Sequence, residues 1–278
     1  GRQVITETKL YNNFADYKNK AKIALKNRDI EKSMSALKLA CILAKNYYLC
    51  YSDDELEEVC KECSKAIFSK NVKCNLQRDR NKFVFYDTHS TDNIALTQQY
   101  LSALISWQVE FLYITSQNLN SERTKMIKKM LDEYPLATVK MIPYDLTQVE
   151  RARYIANVLE EYNAGRALIQ TVADDVSGII AWENMTGIER YYIDLSDHSF
   201  WVGAKVFDFY ITFRNYGFNI CVQHRHIRKE QIIVQPFYPI TESKEYKGIS
   251  SNIANSFKIL SGGRVEKIYG INNKYFDL

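Results

Sequence analysis

One polar and aromatic segment, residues 196–203 with the sequence SDHSFWVG, carries the residues best suited to chemistry. His198 follows Asp197, and a histidine whose ring is held by a neighbouring carboxylate can act as a general base near neutral pH. Phe200 and Trp201 could pack against the face of a bound sugar ring. The alternative is structural, with His198 hydrogen-bonded within the loop and the two aromatic side chains filling the core beneath it.

A second polar loop, residues 87–93 with the sequence DTHSTDN, follows the first strand predicted below. Asp87 and His89 are further candidates for a proton acceptor, and Asp92 and Asn93 are candidates for contacts with a bound substrate. A dinucleotide-binding turn needs glycines where the backbone approaches the pyrophosphate, and this loop has none. NAD or FAD is therefore not expected here.

A basic run, residues 224–229 with the sequence HRHIRK, could meet a phosphate group or could end a helix, where cations complement the helix dipole. Residues 174–175, both Asp, have the form of a helix N-terminal cap. The sequence contains no H-E-x-x-H, P-loop, G-x-S-x-G or D-x-D motif. Among six cysteines only Cys60 and Cys63 form a C-x-x-C pair, so we expect free thiols, no metal site and no other cofactor.

The composition excludes several classes of protein. The 37 Lys and Arg residues against 33 Asp and Glu are too evenly balanced for a dedicated nucleic-acid binder. A hydrophobic content of 46% is enough for a packed core, and the 20 tyrosines favour surfaces that are part apolar and part wet. No secretory signal pattern is present, and no apolar segment approaches the ~18 residues of a membrane span. We expect a cytoplasmic protein that could also touch a membrane peripherally.

Apolar residues recur at helical spacing through residues 11–70, which predicts two or three helices with a break at 27–29 and an N-cap in 52–55. From residue 82 onward, short apolar strands alternate with helices, as in a parallel sheet. The predicted strands are 83–86, 110–114, 139–142, 167–170, 191–195, 209–213 and 231–234, and the predicted helices between them are 94–107, 121–133, 147–162 and 176–184. We therefore expect an α/β fold, a Rossmann-like doubly wound parallel sheet preceded by an N-terminal helical segment.

Three domains are expected: an N-terminal helical segment at 1–75, a Rossmann-like domain at 82–240, and a linker with the truncated start of another domain at 241–278. The last of these begins a strand at 256–260 and then a glycine turn, which is too little to form a domain. In an open α/β sheet, ligands bind beyond the carboxyl ends of the strands. The loops that follow the strands should therefore hold the functional site.

Five segments carry a resemblance to a known family: 85–101, 194–203, 213–217, 235–239 and 260–263. They are similar to segments of bacterial glycosyltransferases of the GT-B fold, which assemble polysaccharides and other glycans. The resemblance covers roughly residues 82–265, and DHSFWVG is its most specific element. It implies two Rossmann-like domains across a cleft, with the acceptor bound by the N-terminal domain and a nucleotide sugar by the C-terminal one. The chain is expected to depart from this pattern, with most of the donor-binding domain missing.

The resemblance also implies roles for the candidate residues. His198, or alternatively His89 or Asp87, would accept the proton of an acceptor hydroxyl. The acceptor itself would contact residues in two of the loops: Asp92, Asn93, Asp197, Phe200 and Trp201. The donor's leaving diphosphate would be stabilised by backbone amides and a cation at Gly262, Gly263 and Lys267.

The sequence thus predicts the N-terminal part of a glycosyltransferase that moves a sugar from a nucleotide-sugar donor to a glycan or lipid-linked acceptor. As an isolated chain it is expected to be inactive, with the nucleotide sugar as a co-substrate of the intact enzyme. The alternative is a non-catalytic Rossmann-like binding module whose helical segment docks a partner. A phosphorylation-dependent receiver domain is less compatible, since Asp87 and Asp92 fit its acidic cluster poorly.

Overall fold

The computed structural model describes residues 7–68, 77–92 and 95–238. Three helices come first: α1 (Glu7–Lys26), α2 (Ile30–Tyr47) and α3 (Asp54–Ile67). The predicted break and cap are both confirmed. The Asp29 side chain accepts a hydrogen bond from the Lys32 amide at the start of α2, and the Asp53 side chain accepts two at the start of α3. These acceptors satisfy amides that a helix leaves unpaired at its first turn.

A parallel sheet with five flanking helices makes up the rest of the described chain. Its strands are β1 (Asp79–Asp87), β2 (Glu110–Thr115), β3 (Ala137–Met141), β4 (Ala164–Gln170), β5 (Glu189–Ile193), β6 (Phe209–Thr212) and β7 (Ile232–Val234). Its helices are α4 (Leu96–Ser106), α5 (Lys125–Asp132), α6 (Gln148–Tyr162), α7 (Val176–Asn184) and α8 (Asn215–Gln223). The strand order is β3-β2-β1-β4-β5-β6-β7, and all neighbouring strands are parallel. The chain is therefore an α/β protein with a Rossmann-like doubly wound sheet, as predicted.

The sequence placed most elements within two residues of their observed bounds. The larger differences are that β1 and β4 begin earlier than predicted, at Asp79 and Ala164 rather than 83 and 167, and that α5 begins later, at Lys125 rather than 121. Strand β3 begins at Ala137 rather than 139, because it is an edge strand with largely exposed residues and no apolar run to mark its start. Strand β5 begins at Glu189 rather than 191, where polar side chains form ion pairs with Arg80 and Asp208. No range was predicted for helix α8, although the basic run at 224–229 was interpreted as a possible helix end.

Two hydrophobic layers enclose the sheet. Alternate residues of β1 point to opposite faces, so that Val84 and Tyr86 join one layer and Phe83 and Phe85 join the other. The first layer contains α6 and α7 and continues into α2 and α3 of the N-terminal segment. The second layer contains α4 and α5. Helices thus cover both faces of the sheet, as a doubly wound fold requires.

Buried and partly buried polar contacts join the three N-terminal helices to the α/β part. Both carboxylate oxygens of Glu31 on α2 accept hydrogen bonds, at 2.9 Å each, from the first amides of α6. The Ser64 hydroxyl on α3 donates to the Ile180 carbonyl at 2.9 Å. Glu57 on α3 accepts from the amides of Gly203 and Ala204. The helical segment therefore forms an additional layer on the α7 side of the sheet.

By compactness the chain divides into two units, Gly1–Ile240 and Thr241–Leu278, and every described residue belongs to the first. The predicted domain boundaries stay predictions, and the strand and glycine turn predicted after residue 255 lie outside the described residues. None of the described helices is long and apolar enough to cross a membrane.

Candidate functional site

The strand order places a crevice at the carboxyl edge of the sheet. The strand order reverses between β1 and β4, because the chain moves outward from β1 to β3 and then returns to β4 on the other side of β1. In open α/β sheets such a reversal point is where ligands bind. The two loops that the sequence singled out follow β1 and β5, and β4 lies between these strands in the sheet.

Asp87, the last residue of β1, lies at the centre of a buried hydrogen-bond cluster. Its side chain is 0% exposed and accepts hydrogen bonds from the Thr97 hydroxyl at 2.5 Å, the His89 amide at 2.9 Å, and the side chains of Tyr113 and Gln170 at 3.3 Å each. Burial raises the pKa of the Asp87 carboxyl to about 6, although these hydrogen bonds oppose the rise. Asp87 is therefore suited to stabilising the conformation of the loop after β1.

The other candidates after β1 lie in different surroundings. His89 is half-buried, two residues beyond the end of the strand. Both carboxylate oxygens of Asp92 accept hydrogen bonds from the Met126 and Ile127 amides, at 2.8 and 3.0 Å. Asp92 therefore satisfies the first turn of α5, a structural use of a residue expected to contact the acceptor. Asn93 lies outside the described residues.

Arg214, which follows β6, pairs with Asp197 after β5, and Asp197 lies beside His198. These three residues are called the relay. Arg214 contacts Asp197 in a bidentate pair, with Nε 2.7 Å from Oδ2 and Nη2 2.9 Å from Oδ1. The His198 Nδ1 atom lies 3.5 Å from Asp197 Oδ1. Asp197 is buried, whereas the His198 side chain is 53% exposed. The Asp197 carboxylate, held by Arg214, thus lies beside the solvent-accessible imidazole of His198.

The electrostatics keep Asp197 ionised. Burial would raise the pKa of Asp197, but the hydrogen bonds and charge of Arg214 outweigh it, so that the pKa lies below its ordinary value. An ionised carboxylate beside Nδ1 favours the imidazole tautomer with a proton on that nitrogen, which leaves Nε2 free to accept another.

Adjacent strands and one glycine bring this relay together. Strands β5 and β6 are neighbours in the sheet, so the loops after them meet at the same edge. Helix α8 then starts against Asp197, because Gly217 has no side chain: a Cβ atom there would lie 3.2 Å from the Asp197 Cβ. Sequence reasoning missed Arg214, although an arginine directly after a predicted strand was the available signal.

Phe200 and Trp201 lie in the core beneath the loop, as the structural alternative predicted. Both are almost fully buried, and the Trp201 indole donates a hydrogen bond to Asp194 at 3.0 Å. The guanidinium of Arg225 lies 4.6 Å from the Trp201 ring centroid. These side chains support the loop from inside.

The basic run lies at the end of α8, as one of the two interpretations predicted, but one of its arginines has a structural role that neither predicted. His224 caps the end of α8, but Arg225 is fully buried and pairs with the equally buried Asp194, 3.4 Å away. Its second terminal nitrogen donates to the carbonyl of Ser199 at 2.8 Å. Arg225 thereby ties the loop after β5 to the end of α8, which sequence spacing does not reveal.

The remaining candidates contribute little to this site. The donor-phosphate residues predicted from the sequence, Gly262, Gly263 and Lys267, lie outside the described residues. Within the described ranges, no group of histidine, cysteine and acidic residues could hold a metal ion. Cys60 and Cys63 are free and buried, and burial raises the pKa of both thiols. Asp175 caps α7, as predicted, by accepting from the Gly178 amide at 3.2 Å.

Fold and site together define a doubly wound Rossmann-like α/β protein with an Arg-Asp-His relay at the carboxyl edge of its sheet. No protein-family model matches the chain, and no curated protein matches it. Among solved structures, it is similar to a glycosyltransferase from Rickettsia africae ESF-5, with 13% sequence identity and a TM-score of 0.40. The match covers 57% of this chain and 43% of that protein, so it spans less than half of the neighbour's length. A likeness this distant assigns no function.

Proposed function

We propose that the chain is the acceptor-binding part of a glycosyltransferase, with His198 as the catalytic base. The observation that carries the proposal is the relay from Arg214 through Asp197 to the half-exposed His198, at the carboxyl edge of a doubly wound sheet. The similarity of the DHSFWVG segment to GT-B glycosyltransferases supplies the reaction class.

In this proposal the acceptor hydroxyl lies against Nε2 of His198. As the hydroxyl oxygen attacks the anomeric carbon, a new carbon–oxygen bond forms and the bond from that carbon to the nucleoside diphosphate breaks. The hydroxyl proton moves to Nε2, and the diphosphate leaves with the bonding electron pair. Asp197 stabilises the imidazolium that results, as an oriented carboxylate does in other histidine bases.

The partners follow from the same proposal. The acceptor is a glycan or a lipid-linked saccharide, and the donor is a nucleotide sugar that acts as a co-substrate. Gly262, Gly263 and Lys267 are proposed to contact the donor's phosphates. The alternative, a non-catalytic module with a helical docking segment, receives less support, because Glu31 and Glu57 of that segment already bind the chain's own α/β part.

The test combines binding with transfer. Saccharides that bind the chain are identified by NMR, and transfer onto them by the enzyme containing the chain is followed by mass spectrometry with a panel of UDP- and GDP-sugars. We expect at least one pair to give a glycosylated product, and we expect His198→Ala to suppress its formation. The proposal is wrong if no donor supports transfer, or if transfer proceeds undiminished without the imidazole.

A further inference from the structure

His198 lines a cavity whose opposite wall comes from the N-terminal helical segment. The cavity has a volume of about 380 Å³, within the range of roughly 300–1,000 Å³ that small-molecule sites occupy. One wall consists of residues from the α2–α3 connection: Tyr48, Leu49, Cys50, Tyr51 and Ser52. The other wall consists of His198, Ser199 and His224.

The wall from the α2–α3 connection has a defined geometry. Tyr48 ends α2 in the left-handed conformation, with φ 52°, and Asp53 caps the start of α3, so both ends of the connection are fixed. The Ser52 hydroxyl donates to the His224 carbonyl at 2.9 Å. The Tyr51 ring centroid lies 4.8 Å from that of His224. Residues about 150 positions from His198 in sequence are thus held beside it.

A hydroxyl contact links this wall to the relay. The Tyr51 and Tyr216 hydroxyls are 3.3 Å apart, and the Arg214 guanidinium lies 5.0 Å from the Tyr216 ring centroid. Arg214 in turn pairs with Asp197 beside His198. A ligand held by the wall would therefore lie next to the proposed base.

The lining favours a neutral, polyhydroxylated ligand. It offers aromatic faces and hydrogen-bonding edges, and it contains no Lys, Arg, Asp or Glu. The nearby charges are already paired, Asp197 with Arg214, Arg225 with Asp194, and Asp53 with Lys18. Apart from the imidazoles of His198 and His224, an anion would find no cationic side chain in this lining, whereas a sugar ring matches surfaces that are apolar on one side and polar at the edge.

We propose that residues 48–52 form one wall of a saccharide subsite, which binds the non-reacting sugar of the acceptor and thereby selects it. The identification of the bound saccharide as an acceptor rests on the proposed function, but saccharide binding is measurable without transfer. The Tyr48 side chain is 67% exposed, and Tyr51, Ser52 and His224 supply further lining with hydrogen-bonding groups and rings.

The experiment titrates the full chain with neutral di- and trisaccharides of glucose, galactose and N-acetylglucosamine, with inorganic phosphate as the anionic probe. The readout is the NMR signals of the His198 and His224 imidazoles. Expected results are saturable shifts of both signals by at least one saccharide, and weakening of its binding by about 5-fold or more in Tyr48→Ala and in Tyr51→Ala. Tyr144→Ala, which removes a ring that is 97% exposed and does not line the cavity, should bind as the unmodified chain does.

Three outcomes would overturn the inference: saccharide binding unaffected by both substitutions, no binding by any saccharide tested, or shifts produced by phosphate alone. Failure of the proposed function looks different. In that case the saccharide still binds and still depends on Tyr48 and Tyr51, but no donor supports transfer. If instead transfer depends on His198 while binding ignores both tyrosines, the function stands and the subsite is wrong.

Discussion

At the scale of single residues, the site separates groups that are open to a ligand from groups that hold them in place. His198 is half-exposed and lines the cavity, whereas Asp197 and Asp87 are buried and accept hydrogen bonds from the fold. A proton acceptor must reach its substrate, so exposure favours His198. The two aspartates are buried and are therefore suited to holding neighbouring groups in position.

On the proposed function, His198→Ala should lower kcat for glycosyl transfer by ~10²- to 10⁴-fold, the usual contribution of a positioned proton acceptor. The melting temperature should change little, since the side chain is 53% exposed. Both quantities are measured on the same preparation, with His89→Ala as the control for a histidine after a different strand. A loss of ~1 to 3 kcal/mol in unfolding free energy with activity per folded molecule intact would identify a structural histidine instead.

Arg214→Lys should reduce kcat nearly as much as Arg214→Gln, because lysine cannot reproduce the bidentate pair with Asp197. Loss of the guanidinium should also raise the pKa of Asp197, which Arg214 now holds below its ordinary value against the effect of burial. The carboxyl carbon signal of Asp197, followed by NMR during an acid titration, reports this shift directly. Full activity in Arg214→Gln would show that the relay is dispensable.

At the scale of secondary-structure elements, α3 is coupled to the loop after β5 through one buried carboxylate. Glu57 accepts hydrogen bonds from the Gly203 and Ala204 amides at 2.9 and 3.2 Å. Burial nevertheless raises the pKa of Glu57 to about 7, because these two amides do not replace the lost solvation. The contact that positions the loop is therefore sensitive to pH near neutrality.

The stability contribution of Glu57 should fall as the pH rises. Its pKa in the folded chain, about 7, lies above the ordinary value of 4.5, so between these two values the folded state binds more protons than the unfolded state. The contribution is complete below about 4.5 and is lost as the pH rises through about 7. Relative to Glu57→Gln, the unmodified chain should lose on the order of 3 kcal/mol of unfolding free energy across this window.

Denaturant unfolding at a series of pH values measures the difference between the unmodified chain and Glu57→Gln. Because other titrating groups are common to both proteins, their effects cancel in the comparison. A difference that stays constant, or that grows in favour of the unmodified chain as the pH rises, would contradict the assignment of Glu57.

At the scale of the whole molecule, the N-terminal helices and the sheet share one hydrophobic layer. Leu37 and Met34 of α2 are 0% exposed and belong to the same cluster as Val84 of β1 and Trp182 of α7. Carboxylate contacts, partly buried at Glu31 and buried at Glu57, join the same parts. The described residues are therefore expected to unfold together.

Leu37→Ala should destabilise the whole described unit by ~2 to 5 kcal/mol, the usual cost of a buried Leu-to-Ala change. Fluorescence of the buried Trp182 and Trp201 reports on the α/β part, and far-ultraviolet circular dichroism reports on all helices. Both transitions should shift together. Leu39→Ala on the same helix, where the side chain is 43% exposed, is the matched control and should have little effect. A circular dichroism shift without a fluorescence shift would show that the helical segment unfolds independently.

The sequence by itself determined the α/β class, the order of the elements apart from α8, and the N-terminal caps of α3 and α7. These features depend on local patterns: apolar runs for the buried strands, helical periodicity, and the acidic caps that contain Asp53 and Asp175. It also selected the loop after β5 and His198 within it. It could not predict the start of β3, because an exposed edge strand carries no apolar signal.

Only the tertiary structure decided how distant residues combine. Pairing of β5 with β6 brings Arg214 to Asp197, and docking of α3 places Tyr48 and Tyr51 across the cavity from His198. The same packing buried Phe200 and Trp201, and it paired Arg225 of a basic run with Asp194. Sequence spacing does not encode these outcomes, because a side chain's burial and partners depend on elements that are far away in the chain.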